Sequence, residues 1–452
     1  MQKIIVKDFG PIKNVEIEIG KITLLIGEQA TGKSTISQLI YFFKSLKEDF
    51  FTLLYNRIGN VDAENKLQND FFAVIRKKFY SFFGSTKHIG NFSIKYFYGN
   101  NKTITLSLFA NKSLKCDFDN TFFHSVIFES EKLVNAINQT SNHKNAYDLI
   151  AEEQSKSKFI SRLASLVNSH FEDEKTSLYI PAGRIATTNY AEYFDKDVNE
   201  DVTLEKENTK NSDEKIQNVG LILISDFLKK VSNINKRFRD KDFSTLIQEE
   251  YQIFKSINKN EKERLELFNN HINEILKGDY KNDKYGEKLY LNKTEYVYLK
   301  NASSGQQESI RILQDLFLIL LNKEKVFRVI EEPEAHLFPL AQKKLIELIA
   351  LVANNTDSEF IVTTHSPYVL SVFNNLLFAS RITKENFYFR PYEFRAYTLL
   401  NNKNITHNLT SYESILNQET GLISENFLDD ISIELSDEYE EMLEVYKKVK
   451  LK

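Results

Sequence analysis

The strongest chemistry in this chain lies in one short run, Gly27-Glu28-Gln29-Ala30-Thr31-Gly32-Lys33-Ser34, followed by Thr35. It reads G-x-x-x-x-G-K-S. Glycines at these positions let backbone N–H groups turn inward around phosphate oxygens. The lysine reaches terminal phosphates, and the serine hydroxyl can hold Mg²⁺. The flanks suit such a loop. Leu24-Leu25-Ile26 reads as a short apolar strand before it. Ile36, Leu39, Ile40, Phe43 and Leu46 mark one face of a helix after it, whose N-terminus adds partial positive charge behind bound phosphates. The run therefore predicts nucleotide binding.

Three further clusters could serve the same site. Ser303-Ser304-Gly305-Gln306 opens a helical stretch, where hydroxyls and unpaired N–H groups converge on an anion; alone it is an ordinary N-cap. Val326 to Ile330 reads as a strand interrupted by Arg328, and it ends in Glu331-Glu332-Pro333-Glu334. Carboxylates at the C-terminal end of a strand lie where α/β sheets bind ligands. Adjacent strand residues point to opposite faces, so one can hold a Mg²⁺ shell and the other activate a water. Phe360 to Thr364 is another strand, and it delivers His365 to the same edge, where it suits a γ-phosphate sensor.

The elements that must position these groups are legible in outline. Ile4 to Phe9 and Val15 to Ile26 read as strands with turns at Gly10-Pro11 and Gly20-Lys21. Alternation over Phe92 to Leu108 predicts an antiparallel hairpin, and Leu178-Tyr179-Ile180 a short buried strand ending at Pro181. Asp195 to Ile216 is charged or polar and reads as a solvated loop. Two helical patterns follow, Leu221 to Val231 and Leu246 to Ile275, expected to pair as a short antiparallel arm. The basic cluster Lys236, Arg237, Arg239 and Lys241 between them, diluted by Asp240 and Asp242, reads as a solvated helix end. Leu289 to Leu299 predicts a second hairpin, and Ser436 to Lys448 an amphipathic helix with its acids outside. The resulting organisation is 1–190, an N-terminal half with the loop and an antiparallel lobe; 191–285, a charged loop and helical insertion; and 286–452, a C-terminal half with the remaining motifs.

Bulk properties narrow the classes. The chain has 452 residues, a formal charge of −4 and one cysteine, Cys116. A disulfide framework or Cys-rich zinc site is excluded within one chain, and Cys116 reads as a small packing residue. Near-neutral charge lends no support to nucleic-acid binding as a bulk property. The N-terminus is not a signal peptide, and the longest apolar run, Leu316 to Leu321, is too short to span a membrane. A cytoplasmic protein without membrane contact is expected.

In order and content these motifs resemble ABC-type ATPases, and more closely the RecF/SMC-like heads. That group includes OLD (overcoming lysogenization defect) family ATPase portions and ATPase subunits of Septu- and PARIS-type phage-defence systems. Tyr179-Ile180-Pro181-Ala182-Gly183-Arg184 and the run from Glu331 to Pro339 carry the closer likeness, which covers roughly residues 1–190 and 286–380. The resemblance implies an α/β fold, an ABC-type P-loop NTPase head with a mixed sheet, an antiparallel β subdomain and an inserted helical arm. It implies that Lys33 and Gly27 to Gly32 hold the β- and γ-phosphates of ATP, that Ser34 and Glu331 hold Mg²⁺, and that Glu332 is the general base. His365 would contact the γ-phosphate, and Ser303 and Gly305 the γ-phosphate held by a second subunit. Glu331 replaces the usual Walker-B aspartate, Ser304 replaces the first signature glycine, and no glutamine loop stands out. Arg184 reads equally as a structural strand-end residue or a nucleotide sensor.

ATP sandwiched between two heads makes nucleotide binding a dimerisation switch. The expectation is an ATPase that forms a homodimer or higher oligomer and regulates an effector, a nuclease or toxin, in prokaryotic defence. The alternative is a RecF-type repair ATPase acting on DNA. A transporter subunit fits poorly, because a very long insertion separates Lys33 from Ser303. A complete OLD-type nuclease would need an Asp-x-Asp pair, and the tail after Pro367 contains Asp429-Asp430 and Glu434 but no Asp-x-Asp, so no intrinsic nuclease is expected.

Overall fold

The computed structural model describes residues 2–56, 64–86, 89–99, 102–109, 113–119, 122–123, 126, 146–185, 219–253, 259–381, 393–399, 412–424 and 427–450. The charged loop read at Asp195 to Ile216 lies outside them. Strands β1 (Lys3–Phe9), β2 (Ile12–Glu18) and β3 (Ile22–Gly27) lead into helices α1 (Lys33–Asn56) and α2 (Glu64–Phe83). Strands β4 (Phe92–Phe97), β5 (Thr103–Leu108) and β6 (Leu114–Phe118), helix α3 (Ala146–His170) and strand β7 (Thr176–Ile180) complete the N-terminal part. Helices α4 (Val219–Arg237), α5 (Phe243–Ile253) and α6 (Lys259–Leu276) precede strands β8 (Asp279–Asp283), β9 (Gly286–Tyr290) and β10 (Tyr296–Tyr298). Then come α7 (Ser304–Asn322), β11 (Val326–Glu331), α8 (Pro339–Thr356), β12 (Glu359–Thr363), α9 (Pro367–Ala379), β13 (Phe394–Leu399), β14 (Tyr412–Ser414) and α10 (Phe427–Lys450).

The central sheet has the order β14-β13-β3-β12-β11-β7. All but β14 run parallel, so the carboxyl ends of β3, β12, β11 and β7 meet at one edge. Strands from both ends of the chain are thus interleaved. A five-stranded antiparallel sheet, β2-β1-β4-β5-β6, covers one side, which makes the expected hairpin part of a larger lobe. A three-stranded sheet, β10-β9-β8, precedes α7 and contains the second hairpin. Strands β8 and β13, which no motif signals, are additions to the sequence reading.

Period-two alternation sorts each central strand between two cores. Ile22, Leu24 and Ile26 face one core with Val326, Ile330, Phe360 and Val362. Leu25, Phe327, Val329 and Ile361 face the other, where α1, α2 and the antiparallel lobe pack rings such as Phe42, Phe43, Phe50 and Phe79. Cys116 packs at the margin of this aromatic core, as its packing role predicts, and burial pushes its thiol up. Among the described residues the inserted helices are three, and they lie along the body. Phe227, Phe238, Phe243, Leu246, Phe268 and Ile272 join the core of Phe317 on α7, so the expected arm is docked, its apolar stripes answering those of α7. Lys236, Arg237 and Arg239 are exposed, as a solvated helix end predicts, while Lys241 pairs with Glu249 at 2.7 Å. Helix α10 is longer than expected, and Leu435, Tyr439, Met442 and Tyr446 on it are exposed along with Glu434, Asp437, Glu438, Glu440, Glu441 and Glu444. No helix among the described residues is long and apolar enough to cross a membrane.

Candidate functional site

The loop between β3 and α1 wraps around its own lysine. Lys33 Nζ donates to the carbonyls of Gly27 and Glu28, both at 2.7 Å, and the Thr31 hydroxyl donates to the Glu28 carbonyl at 2.9 Å. Glu28, Gln29 and Ala30 form the exposed rim; Thr31, Gly32 and Lys33 are buried. Two glycines are required here. Gly27 has φ +152° and Gly32 φ +104°, and a Cβ on Gly27 would lie 2.7 Å from Thr31 Oγ1. Ser34 is exposed at the start of α1, and Thr35 is half-buried beside it. Burial lowers the Lys33 ammonium to about 8, against the opposing pull of Glu332.

Glu332 and His365 close the other side. His365 Nε2 lies 3.4 Å from Glu332 Oε1. Burial, then the charge of Lys33, holds the imidazole below its ordinary pKa, so it is neutral at neutral pH. Lys33, Glu332 and His365 thus share one electrostatic neighbourhood. The two adjacent carboxylates do diverge, but pleating is not the cause. Glu332 has φ +43°, left-handed for a residue with a β-carbon, and such a conformation costs about 1–3 kcal/mol. Its N–H donates to the Thr363 carbonyl at 3.0 Å, which fixes the turn out of β11. Glu331 keeps the strand direction, and its Oε2 accepts from Ala182 N at 3.3 Å.

The Ser34 and Glu331 pair expected to hold Mg²⁺ is linked through Ser37, which the sequence did not single out, and Tyr179 of the short buried strand. Ser37 Oγ donates to the Ser34 carbonyl at 3.0 Å and bonds the Tyr179 hydroxyl at 3.0 Å. Burial, then the nearby Glu331 carboxylate, drives the Tyr179 phenol far above its usual range. Glu331 Oε1 is buried without a hydrogen-bond partner. An uncommitted carboxylate oxygen, linked through Tyr179 and Ser37 to the serine at the loop–helix junction, suits a hard cation that prefers oxygen ligands. These residues fit Mg²⁺.

Two more groups support the site: Glu334, the last residue of the acidic run, and Arg184, which the sequence leaves open between a structural and a nucleotide-sensing role. Glu334 is buried, accepts from the Thr364 hydroxyl and from His365 N (3.0 Å), and so orients the backbone of His365. Burial raises its carboxyl above the usual range. Arg184 is fully buried behind the carboxylate pair. Its Nη1 donates to the carbonyls of Glu331 (2.7 Å) and Pro181 (2.8 Å), and its Nη2 to that of Glu332 (3.0 Å). The position of Pro181 at the end of a strand was the available signal; the partner carbonyls were not.

The signature residues behave differently. Ser303 caps α7 in a reciprocal box with Gln306: the Ser303 N–H donates to Gln306 Oε1 at 2.9 Å, and Gln306 N donates back to Ser303 Oγ at 3.4 Å. Gln306 Nε2 donates to the Leu276 carbonyl at 2.6 Å. Ser303 and Ser304 are exposed, whereas Gly305 is buried.

A phosphate loop between strand and helix, at the carboxyl edge of a parallel sheet with acids and a histidine beside it, defines a P-loop ATPase. The chain belongs to the family described as AAA ATPase domain, which matches residues 1–370. That family and this loop support ATP binding and hydrolysis. A probable ABC transporter ATP-binding protein p29 of Mesomycoplasma hyorhinis is 26% identical over 164 residues, 36% of this chain and 60% of that protein. The chain therefore spans less than two thirds of that relative's length. Among solved structures, an SMC head bound to the C-winged helix domain of ScpA aligns at 12% identity and TM-score 0.41, covering 92% of this chain and 98% of that one. The SMC head domain from Thermotoga maritima aligns at 11% identity and TM-score 0.33, covering 88% and 95%.

Proposed function

We propose that the chain is a Mg²⁺-dependent ATPase switch whose heads pair around ATP and whose opening after hydrolysis governs a partner effector in prokaryotic anti-phage defence. One observation supports the division of labour best: Lys33, Glu332 and His365 converge within one chain, while the Ser303 cap faces outward. In this reading Lys33 and the loop N–H groups hold the β- and γ-phosphates. Ser34 and Glu331 would hold Mg²⁺, which supplies charge neutralisation at the phosphate oxygens. Glu332 accepts the proton of the attacking water, and the neutral His365 contacts the γ-phosphate. Ser303, Ser304, Gly305 and Gln306 of a second head present a helix N-terminus to that same phosphate. The effector, a nuclease or toxin, and the defence setting rest on the resemblance of the Tyr179–Arg184 and Glu331–Pro339 phrases.

The test is Glu332→Gln. The expected result is turnover reduced by at least about a hundredfold, ATP binding retained, and an ATP-dependent dimer accumulating in size-exclusion chromatography with light scattering. Parental turnover in this variant, or a chain that stays monomeric with saturating Mg-ATP, rejects the reading.

A further inference from the structure

Three observations join the signature helix to the general base inside one chain. First, Glu308, in the second turn of α7, is buried and grips the Arg184 segment: Oε2 accepts from Arg184 N at 3.0 Å and Oε1 from Ile185 N at 3.3 Å. Arg184 Nε lies 3.1 Å from Glu308 Oε2 and donates to the Glu308 carbonyl at 3.1 Å. Second, the far end of the same guanidinium holds the backbone carbonyls of Glu331 and Glu332. The Glu332 carbonyl also accepts from Ala335 N at 3.0 Å, so its peptide is held on both sides. Third, the first turn of α7 is seated on the loop that follows. A Cβ on Gly305 would lie 2.5 Å from the His336 carbonyl.

This fork does not suit a nucleotide contact. At least four of the five guanidinium N–H groups are committed, to Pro181, Glu308, Glu331 and Glu332. A planar, pre-organised fork suits the simultaneous holding of carbonyls from separate elements. What it holds are the two peptides that flank Glu332, a β-carbon-bearing residue kept in left-handed conformation beside His365. A small displacement of the α7 N-terminus would therefore reach the Glu332 side chain through covalent and hydrogen-bonded links, with no free joint between.

We propose that Arg184 and Glu308 form a strut through which the signature helix sets the backbone of Glu332, so that engagement of Ser303 by one triphosphate aligns the general base acting on the other. Arg184 is a positioning residue, and its role rests on the function proposed above. It makes hydrolysis at the two shared sites interdependent.

The experiment is a kinetic double-mutant cycle on the full chain, with Mg-ATP affinity by calorimetry and single-turnover hydrolysis. Arg184→Lys keeps the charge and loses the fork. It should leave the Kd for Mg-ATP within about threefold and lower kcat by about tenfold or more. Glu308→Gln should act in the same direction. Ser303→Ala also lowers kcat, and the Arg184→Lys/Ser303→Ala pair should be no slower than the slower single variant, because both cut one line of transmission. Independent, multiplying losses in the pair overturn the strut, as does a parental kcat in Arg184→Lys. If Arg184→Lys fails to give a cooperative thermal transition, Glu308→Gln paired with Ser303→Ala decides on the same criterion. A parent chain that does not turn over ATP overturns strut and ATPase together; an active parent with multiplying losses overturns the strut alone.

Discussion

Lys33 donates to its own loop carbonyls and is held by burial at about 8, so above that pH the loop loses its positive charge. Phosphates restore the ammonium by direct attraction, so binding must take up a proton when the solution is more alkaline than about 8. The sign follows: affinity for ATP is flat below that point and falls as pH rises through it, by up to about tenfold per unit. Calorimetric titration at pH 9 in two buffers of different ionisation enthalpy should show close to one proton taken up per nucleotide. Proton uptake indistinguishable from zero contradicts it. His365 and Glu332 behave as a pair of unlike groups, the first kept neutral by burial and Lys33 and the second aimed by a strained backbone. Residue types at these positions were readable from sequence. The backbone angle at Glu332 was not, because it is imposed by carbonyl and N–H partners on β12 and at Arg184.

At the scale of elements, Arg328 shows how a strand carries an apparent interruption. It is central in β11 and buried, and its Nε donates to Asp315 Oδ2 of α7 at 2.7 Å. Burial of Asp315 acts to raise its carboxyl, but Arg328 and then Lys230 outweigh it and hold the group below its ordinary value. The pair locks helix to strand behind the site. Arg328→Met leaves a buried aspartate with only Lys230 at 3.4 Å, and should cost about 3 kcal/mol in urea unfolding, the lower end of the range for breaking a buried pair. Arg328→Met with Asp315→Leu should recover most of that loss, since it removes both charges. A double variant no more stable than the single one contradicts this account. The docked α4 to α6 helices belong to the same scale. Their apolar stripes were legible, but a stripe does not say whether it faces a partner helix in an arm or the core of the body.

At the scale of the whole molecule, the proposal divides each ATP site between two copies, and division makes a distinctive prediction. Lys33→Ala should be inactive and Ser303→Ala strongly slowed. Mixed in equal amounts with Mg-ATP, they should turn over ATP faster than either variant alone, with a ceiling of about a quarter of parental turnover, because half of randomly formed dimers are mixed and each mixed dimer has one site with both residues intact. The strut lowers the figure below that ceiling, since the Glu332 of that site lies on the Ser303→Ala chain. Steady-state phosphate release against mixing ratio measures this, with a maximum at equal amounts. No recovery at any ratio contradicts shared sites. The exposed position of Ser303 and Ser304 beside the buried Gly305 favours such sharing: the hydroxyls are presented outward while the turn is anchored within.

Local chemistry alone determined the phosphate loop, the carboxylate pair, the histidine at a strand end and the alternating strands, because each depends on neighbouring residues and on period. The tertiary structure decided what depends on distant partners. It placed β13 beside the loop strand, docked the inserted helices, turned Glu332 left-handed, and bound Arg184 to Glu308 and to two carbonyls far along the chain. The physical reason is that a buried fork or a strained peptide is held by hydrogen bonds whose partners have no fixed spacing in sequence.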